Sequence, residues 1–175
     1  MKVYLESKGC DSSLADTNKV RNYLRDNNLE LCDNYNNADY IILMSCGFNK
    51  IMMNDNLERL SEFRKTNAKI VLGGCIPKLN KKALSLVDYS FGPKEFDKLW
   101  LIFNIDRDIE NYSPEFKRKD KKIIRISTGC EGTCSYCAIK LANGRVKSRS
   151  IVDIKKDMLD GINDGYSKFI FTSED

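Results

Sequence analysis

The sequence predicts an α/β protein built on a parallel sheet, and two patterns carry this prediction. In the first hundred residues, short apolar runs of strand length alternate with segments in which apolar residues recur every three or four positions. Residues 40–44 are apolar without interruption, which is typical of a strand buried on both faces of a parallel sheet. Because parallel strands need long crossover connections, repeated strand–helix units favour this architecture.

The first part of the chain contains the clearest strand–helix alternation. Strands are predicted at residues 3–5, 40–44, 70–72 and 89–91. The first helix is predicted over residues 16–27 and the last over residues 94–103. A helix between them is indicated by apolar residues at helical spacing, namely Met53, Leu57, Leu60 and Phe63. We therefore expect an N-terminal domain over residues 1–103.

The pattern is interrupted and then resumes. Residues 104–121 are charged, contain Pro114 and lack periodicity, so we interpret them as a linker. A second domain is predicted over residues 122–175, with a strand at 123–126, a helix at 152–162 and a strand at 169–171. Since two βα units cannot close a barrel, we expect this domain to be the beginning of a larger one that is cut short.

The composition restricts the chemistry that is open to this chain. It has seven cysteines and no histidine, which argues against imidazole zinc sites and against Ser-His or Cys-His nucleophiles. No apolar run approaches the roughly 18 residues of a membrane span, and the N-terminus does not read as a signal peptide. We therefore expect a cytoplasmic protein with no membrane partner, in which cysteines bind metal or carry redox chemistry.

Three cysteines follow the strand predicted at 123–126 in the pattern Cys130-x3-Cys134-x2-Cys137. Thiolates are the ligands of iron–sulfur clusters, and three of them leave one iron of a four-iron cluster free to bind a small molecule. The alternatives are a zinc knuckle without its fourth ligand and chance clustering. The spacing, the aromatic Tyr136 and the position after a strand favour the cluster.

Three further cysteines, Cys10, Cys46 and Cys75, are far apart in the sequence, but each follows a predicted strand. The carboxyl ends of parallel strands lie at one edge of a sheet, so the three thiols could converge on a single cluster. The alternative is that they are buried free cysteines, which pack as small apolar residues. Cys32 has no such context, and we assign it to the core.

Basic residues are concentrated in two stretches. The first contains Lys117, Arg118, Lys119, Lys121, Lys122 and Arg125. The second contains Lys140, Arg145, Lys147, Arg149, Lys155 and Lys156. Such stretches are compatible with a phosphate backbone and equally with a solvated linker and an exposed helix start.

The triplet Cys130, Cys134 and Cys137, with an aromatic residue before its last member, resembles the radical S-adenosylmethionine enzymes. The order of all six cysteines, with Asp16 after Cys10 and the run at 73–77, resembles the methylthiotransferases. Residues 137–144 and 172–175 are most similar to the archaeal and eukaryotic branch of that family. This branch modifies N6-threonylcarbamoyladenosine at position 37 of certain tRNAs.

The resemblance implies a cluster-binding N-terminal domain followed by the first βα units of a radical S-adenosylmethionine partial TIM barrel. It also implies two 4Fe–4S clusters and S-adenosylmethionine, with Tyr136 near the adenine and Glu174 binding the cofactor's amino group. The cluster on the triplet would deliver the electron that cleaves S-adenosylmethionine, and the other would hold or donate the sulfur. Implied partners are the tRNA anticodon stem-loop, an electron donor protein and a chain supplying the rest of the barrel and an RNA-binding domain.

Some features depart from the family pattern and keep alternatives open. The family usually has Asn where Ser13 stands and often has Arg where Asn143 stands, and its members are longer than this chain. One alternative is a non-catalytic or split iron–sulfur fragment, or a nucleic-acid-binding fragment that keeps clusters for folding. Another is methylthiolation of a different substrate, a protein side chain or isopentenyladenosine. The sequence identifies no catalytic residue beyond the cofactor ligands.

Overall fold

A computed structural model describes residues 1–105 and 107–175. Its larger sheet has five parallel strands in the order β2-β1-β3-β4-β5. The predicted α/β class with a parallel sheet is therefore confirmed. The strands are β1 (Lys2–Lys8), β2 (Glu30–Leu31), β3 (Tyr40–Ser45), β4 (Lys69–Gly74) and β5 (Tyr89–Phe91).

Helices connect these strands. The first of them, α1, begins five residues before its predicted start, because its first turn carries polar residues such as Ser12 that are buried and give no apolar signal. None of the helices in the described part of the chain is long and apolar enough to cross a membrane. The helices are α1 (Asp11–Asp26), α2 (Lys50–Phe63), α3 (Ile76–Leu79), α4 (Lys81–Leu84) and α5 (Lys98–Phe103).

Both faces of the large sheet are covered, which explains the uninterrupted apolar run in β3. Ile42 and Met44 belong to one core cluster, which also contains residues of α1 and α5. Ile41 and Leu43 belong to a second cluster on the other face, together with residues of α2. Cys32, which we expected in the core, is only half-buried after β2 and lies in neither cluster, so that expectation is wrong.

A second, smaller unit contains the predicted strand–helix–strand series. β7 and β10 pair in parallel through α7, and β6 pairs antiparallel with β7. A two-stranded antiparallel pair, β8 with β9, flanks the cysteine triplet. The elements are β6 (Glu115–Arg118), β7 (Lys121–Arg125), β8 (Ser127–Thr128), α6 (Ala138–Asn143), β9 (Lys147–Ser148), α7 (Ile151–Asn163) and β10 (Lys168–Thr172).

The segment predicted as a linker, residues 104–121, contains regular structure. A 3-10 turn covers Ile109–Asn111, and β6 forms a hairpin with β7. Its position 106 lies outside the described residues. The strand was not predicted because its exposed, charged residues are those that protect the edge of a sheet, and such residues also occur in loops. The domain boundaries at 103 and 122 stay predictions.

Candidate metal centre and cofactor pocket

The first three cysteines stand at one edge of the large sheet. Lys8, Ser45 and Gly74 lie side by side in the registers of β1, β3 and β4. Cys46 and Cys75 follow directly after β3 and β4, and Cys10 stands two residues after the end of β1. The strand order also changes direction between β1 and β3, the place where sheets of this order bind ligands.

These three cysteines line one cavity of about 490 Å³. Cys46 is buried, Cys75 is half-buried and Cys10 is exposed. The structure therefore brings together thiols that are 36 and 29 residues apart in the sequence, as the strand ends predicted. Residues of the second unit complete the lining, among them Ala138, Ile139, Ala142, Asn143, Thr172, Ser173 and Glu174.

The ends of β3 and β4 are locked together beside the cavity. The Ser45 hydroxyl donates to the Gly73 carbonyl at 2.6 Å, and the Cys75 amide donates to the Ser45 carbonyl at 3.1 Å. Gly74 has a φ of +91°, and a Cβ there would lie 2.4 Å from the Ser45 carbonyl oxygen. This residue must be glycine for the chain to turn into Cys75 while the two strands stay paired.

Asn56 is a site residue that the sequence analysis missed. Its side chain is fully buried, and its amide nitrogen lies 3.3 Å from the Lys8 carbonyl and 3.4 Å from the Cys46 carbonyl. Asn56 thus links the backbone at Lys8, two residues before Cys10, to the backbone at Cys46. A signal was present, because Asn56 falls three residues after Met53 and four before Leu60 on the apolar face of α2.

The three thiols differ in their acidity. A hydrogen bond from the Cys46 thiol, assisted by the Ser12 and Ser13 backbone amides, lowers the pKa of Cys10 to about 6. The pKa of Cys46 is raised, since its proton is held by Cys10 and the group is buried. Burial, with the neighbouring Cys10 charge, raises the pKa of Cys75 to about 11. Cys10 therefore loses its proton readily and can bind metal as a thiolate, whereas Cys46 and Cys75 release their protons when metal binds.

The second cysteine set lies on the loop between β8 and α6. The Cys130 sulfur accepts from the Gly132 amide at 3.2 Å and donates to Asp175 at 3.1 Å, a bond that raises the pKa of Cys130. Cys134 is exposed, and Cys137 directly precedes α6 without a capping hydrogen bond from its side chain. The structure places all three on one short loop.

Lys140 binds the backbone of this loop. Its ammonium donates to the Glu131 carbonyl at 3.1 Å and to the Gly132 carbonyl at 2.8 Å. Lys140 was counted among the basic residues of a phosphate-facing stretch, whereas its charge is directed at the loop backbone. It therefore contributes to the shape of the loop that carries Cys130 and Cys134.

The donor set Cys10, Cys46 and Cys75 fits an iron–sulfur cluster better than a single ion. In residues 1–105 and 107–175, no group of three or more cysteine or carboxylate side chains is close enough to hold one metal ion. A four-iron cluster spreads its thiolates over the corners of a cube, so its ligands stand further apart. Three thiols around a 490 Å³ cavity match that requirement for Cys10, Cys46 and Cys75.

The two residues expected to contact S-adenosylmethionine have different surroundings. The Tyr136 side chain is 88% exposed next to Cys137. Glu174 stands after β10, as the strand prediction implies, and it lines the cavity. Its carboxylate accepts from the Gly129 amide at 2.9 Å and forms an ion pair with Arg125.

Arg125 is the centre of a buried ion network that the sequence analysis did not predict. It is 2% exposed at the end of β7 and pairs with both Asp16 of α1 and Glu174. Its Nε donates to the Ser127 carbonyl at 3.1 Å. Burial raises the pKa of Asp16 even though Arg125 opposes this, so the network persists only while its charges stay paired.

The first basic stretch is consequently not a uniform phosphate-binding surface. Lys122 is 1% exposed and pairs with Glu115 at 2.7 Å, and Arg125 is buried in the network described above. Neither alternative left open by the sequence, a phosphate-facing surface or a solvated linker, holds for these two residues, because both are buried. Lys117 and Arg118 are exposed but pair with Asp164 and Asp11.

Comparison with known proteins agrees with this arrangement. The family model described as "Uncharacterized protein family UPF0004" matches residues 2–90, more than half of the chain. The chain belongs to this family. The matched segment of this UPF0004 protein contains β1 to β4, the first two residues of β5, and the cysteines Cys10, Cys46 and Cys75.

Curated relatives extend the similarity across the whole chain. A probable threonylcarbamoyladenosine tRNA methylthiotransferase of Archaeoglobus fulgidus is 28% identical over all of this chain and 44% of its own length. A ribosomal protein uS12 methylthiotransferase RimO of Francisella philomiragia is 28% identical over 99% of the chain and 42% of its own length. The RimO of Thermosipho melanesiensis is 31% identical over 90% of the chain and 40% of its own length.

The predicted resemblance to methylthiotransferases is thus confirmed. The chain spans less than half of the length of these relatives. The names of these relatives include both a tRNA and a ribosomal protein as substrate.

Proposed function

We propose that this chain carries the two cofactor sites of a radical S-adenosylmethionine methylthiotransferase. The observation that supports this most is the single cavity that both units line. Cys10, Cys46 and Cys75 reach it from three strands of the first sheet, and Glu174 reaches it from the second unit. A sulfur source and a cofactor pocket that share one cavity are what transfer of sulfur to a bound substrate requires.

We assign one 4Fe–4S cluster to Cys10, Cys46 and Cys75 and a second to Cys130, Cys134 and Cys137. When bound, these groups and S-adenosylmethionine supply the reductive chemistry and the methylthio group, while the protein supplies ligands, orientation and exclusion of water. Because the pKa of Cys10 is lowered, this residue is available as a thiolate before metal binds. Cys137, at the start of α6, ties the second set to a helix that lines the shared cavity.

Glu174 is assigned to the amino group of S-adenosylmethionine, and Tyr136 to the adenine. The Glu174 carboxylate already holds the Gly129 amide, which directly precedes Cys130, so it is anchored to the cysteine loop. Arg125 holds the other side of this carboxylate. Arg125 is thus a positioning residue that aims Glu174 at the cavity.

The substrate that we propose is N6-threonylcarbamoyladenosine at position 37 of tRNA. Two observations support it, the similarity to the Archaeoglobus relative over the whole chain and the motifs at residues 137–144 and 172–175. Some exposed basic residues, among them Lys147 and Lys156, form no ion pair in the part of the chain that the structure describes. These residues would contact the phosphates of the anticodon stem-loop. An electron donor protein and a further segment or chain completing the barrel are proposed partners.

A second candidate is methylthiolation of ribosomal protein uS12. It is favoured by the relatives named RimO, which match nearly the whole chain at similar identity. Under this alternative, the exposed lysines of β9 and α7 would not be needed for substrate binding. The two candidates share the cysteine sites and differ only in what enters the cavity.

Mass spectrometry distinguishes these candidates. Nucleosides from total tRNA and peptides from uS12 are compared between cells with the intact gene, without it, and with Cys75→Ala. We expect the 2-methylthio nucleoside to disappear in the last two and uS12 to stay unchanged. Cys32→Ala is the matched control, since Cys32 lies outside both sites, and it should retain the modification. Loss of modified uS12 instead would select the second candidate, and no change in either would refute the proposed function.

A further inference from the structure

A short helix links the two cysteine sets. α6 begins directly after Cys137 and ends at Asn143, and α3 begins directly after Cys75. The two helices pack against each other, and residues of both line the shared cavity. The end of α6 is therefore held next to a thiol of the first set.

The Asn143 side chain has a defined orientation at this junction. It is 5% exposed, and its amide nitrogen lies 3.1 Å from the Ile139 carbonyl oxygen. Only the NH2 side of the amide can face a carbonyl at that distance, because two oxygens would repel each other. The same nitrogen is 3.8 Å from the Cys75 sulfur. Its two hydrogens therefore serve two acceptors, the helix carbonyl and the thiol sulfur.

We propose that Asn143 is a positioning residue that donates an N–H···S hydrogen bond to the Cys75 sulfur and so sets the reduction potential of the first cluster site. This inference rests on the proposed function, because it requires a 4Fe–4S cluster on Cys10, Cys46 and Cys75. One-electron reduction adds negative charge that is shared with the ligand sulfurs, and hydrogen bonds to those sulfurs favour the reduced form. Burial of the Asn143 amide strengthens this effect, since little water competes for its N–H groups.

The test measures a midpoint potential and does not require turnover. The chain in which Cys130, Cys134 and Cys137 are all changed to alanine is reconstituted anaerobically with iron and sulfide, so that only the first site can hold a cluster. Dithionite then supplies the one electron, and the reduced fraction is followed by electron paramagnetic resonance. We expect Asn143→Ala to lower the reduced-to-oxidised ratio at a fixed potential about tenfold, which is ~59 mV for one electron.

Two further variants separate the hydrogen bond from charge and from folding. Asn143→Asp keeps the shape of the side chain, removes the donor and adds charge. Asn80→Asp is the matched control, because Asn80 also directs its amide at a sulfur, that of Met53 at 3.7 Å. Its Oδ1 caps Lys82 and Ala83, a role that aspartate retains. We expect Asn143→Asp to lower the ratio by more than Asn143→Ala does, because it removes the donor and also adds charge. If only the aspartate variant folds, an unchanged ratio in it refutes the role of Asn143.

Each outcome has a distinct meaning. If iron loads and the potential is the same in the parent and in both Asn143 variants, the role of Asn143 is refuted while the proposed function stands. An equal shift in Asn143→Asp and Asn80→Asp, with none in Asn143→Ala, would also refute it, because charge alone would account for the shift. If the parent binds no four-iron cluster at this site, both this inference and the proposed function fail.

Discussion

The two cysteine sets are built in opposite ways. Cys10, Cys46 and Cys75 come from three strands and meet only because β1, β3 and β4 end in register. Cys130 and Cys137 belong to one loop of eight residues, and their neighbour on that loop, Cys134, is exposed. The first set is a product of tertiary structure, whereas the second is encoded locally.

This difference determines what each site depends on. The first set needs the sheet edge, the Asn56 contacts and the tight approach of β3 and β4, so it is lost whenever the fold is disturbed there. The second needs its loop, which Lys140 and Asp175 hold by a few exposed or partly buried contacts. We therefore expect the first set to be largely preorganised and the second to be ordered mainly by its cluster.

The largest effect that we expect comes from breaking the network between the two regions with Arg125→Met. The change leaves Asp16 and Glu174 as buried carboxylates without a cation. Removing one partner from a buried pair costs about 3–5 kcal/mol of unfolding free energy. Urea denaturation followed by circular dichroism measures this loss.

Arg118→Met is the matched control for that experiment. Arg118 also joins the two units, through Asp11 at the start of α1, but the pair is exposed. Exposed ion pairs contribute less than about 1 kcal/mol, so this variant should unfold close to the parent. Equal unfolding curves for the two variants would contradict the stabilising role that we ascribe to the buried ion pairs of Arg125.

Gly74→Ala is expected to lower the unfolding free energy by a smaller amount and to disturb only the first cysteine site. The new Cβ would meet the Ser45 carbonyl and adopt a left-handed φ, which together cost about 3 kcal/mol. Gly165→Ala in the second unit has a similar φ of +87° but nothing within 4 Å, and it should cost only about 1–2 kcal/mol. Iron analysis should show loss of the first cluster in Gly74→Ala alone, and retention of both clusters would contradict preorganisation by the strands.

The acidity of the first set provides a pH-dependent test on metal-free chain. Because the pKa of Cys10 is lowered to about 6, its alkylation by iodoacetamide should rise between about pH 5 and 7 and then level off. Cys75, whose pKa is raised to about 11, should react only at much higher pH. Cys46→Ser should slow Cys10 alkylation at pH 7 by weakening the hydrogen bond from the neighbouring thiol. Peptide mapping by mass spectrometry gives each rate, and identical profiles for Cys10 and Cys75 would disprove the assignment.

The smallest effect on stability is expected at the exposed edge of the second site. Tyr136→Ala should change the unfolding free energy by no more than about 0.5 kcal/mol, since the side chain is 88% exposed. Binding of S-adenosylmethionine to reconstituted protein should weaken by about 1–3 kcal/mol if the ring stacks on the adenine. Tyr136→Phe keeps the ring and should bind normally in equilibrium dialysis. Unchanged binding in the alanine variant would remove Tyr136 from the cofactor site.

The features that could be predicted from the sequence are those that a local pattern encodes. Four of the five strands of the large sheet follow from apolar runs, whereas β2 (Glu30–Leu31) was not predicted. The convergence of Cys10, Cys46 and Cys75 follows from the rule that parallel strands end at one edge. The hairpin of β6 was missed because its charged residues resemble a loop.

Long-range pairing explains most of the rest. Arg125 finds its partner Asp16 109 residues away, and nothing near Arg125 in the sequence distinguishes it from an exposed basic neighbour such as Lys121. Asn143 and Asn56 likewise gain their roles from acceptors on other elements. A buried polar contact depends on which elements pack together, and this is known only once the fold is known.

Helix α1 acts as a spacer of fixed length between the two regions. Cys10 stands at its first end, and Asp16, the partner of Arg125, lies six residues further along. One inserted residue between them would advance Asp16 by 1.5 Å and rotate it by about 100° around the helix axis. Natural variants of this chain should therefore tolerate substitutions between Cys10 and Asp16 far better than insertions or deletions.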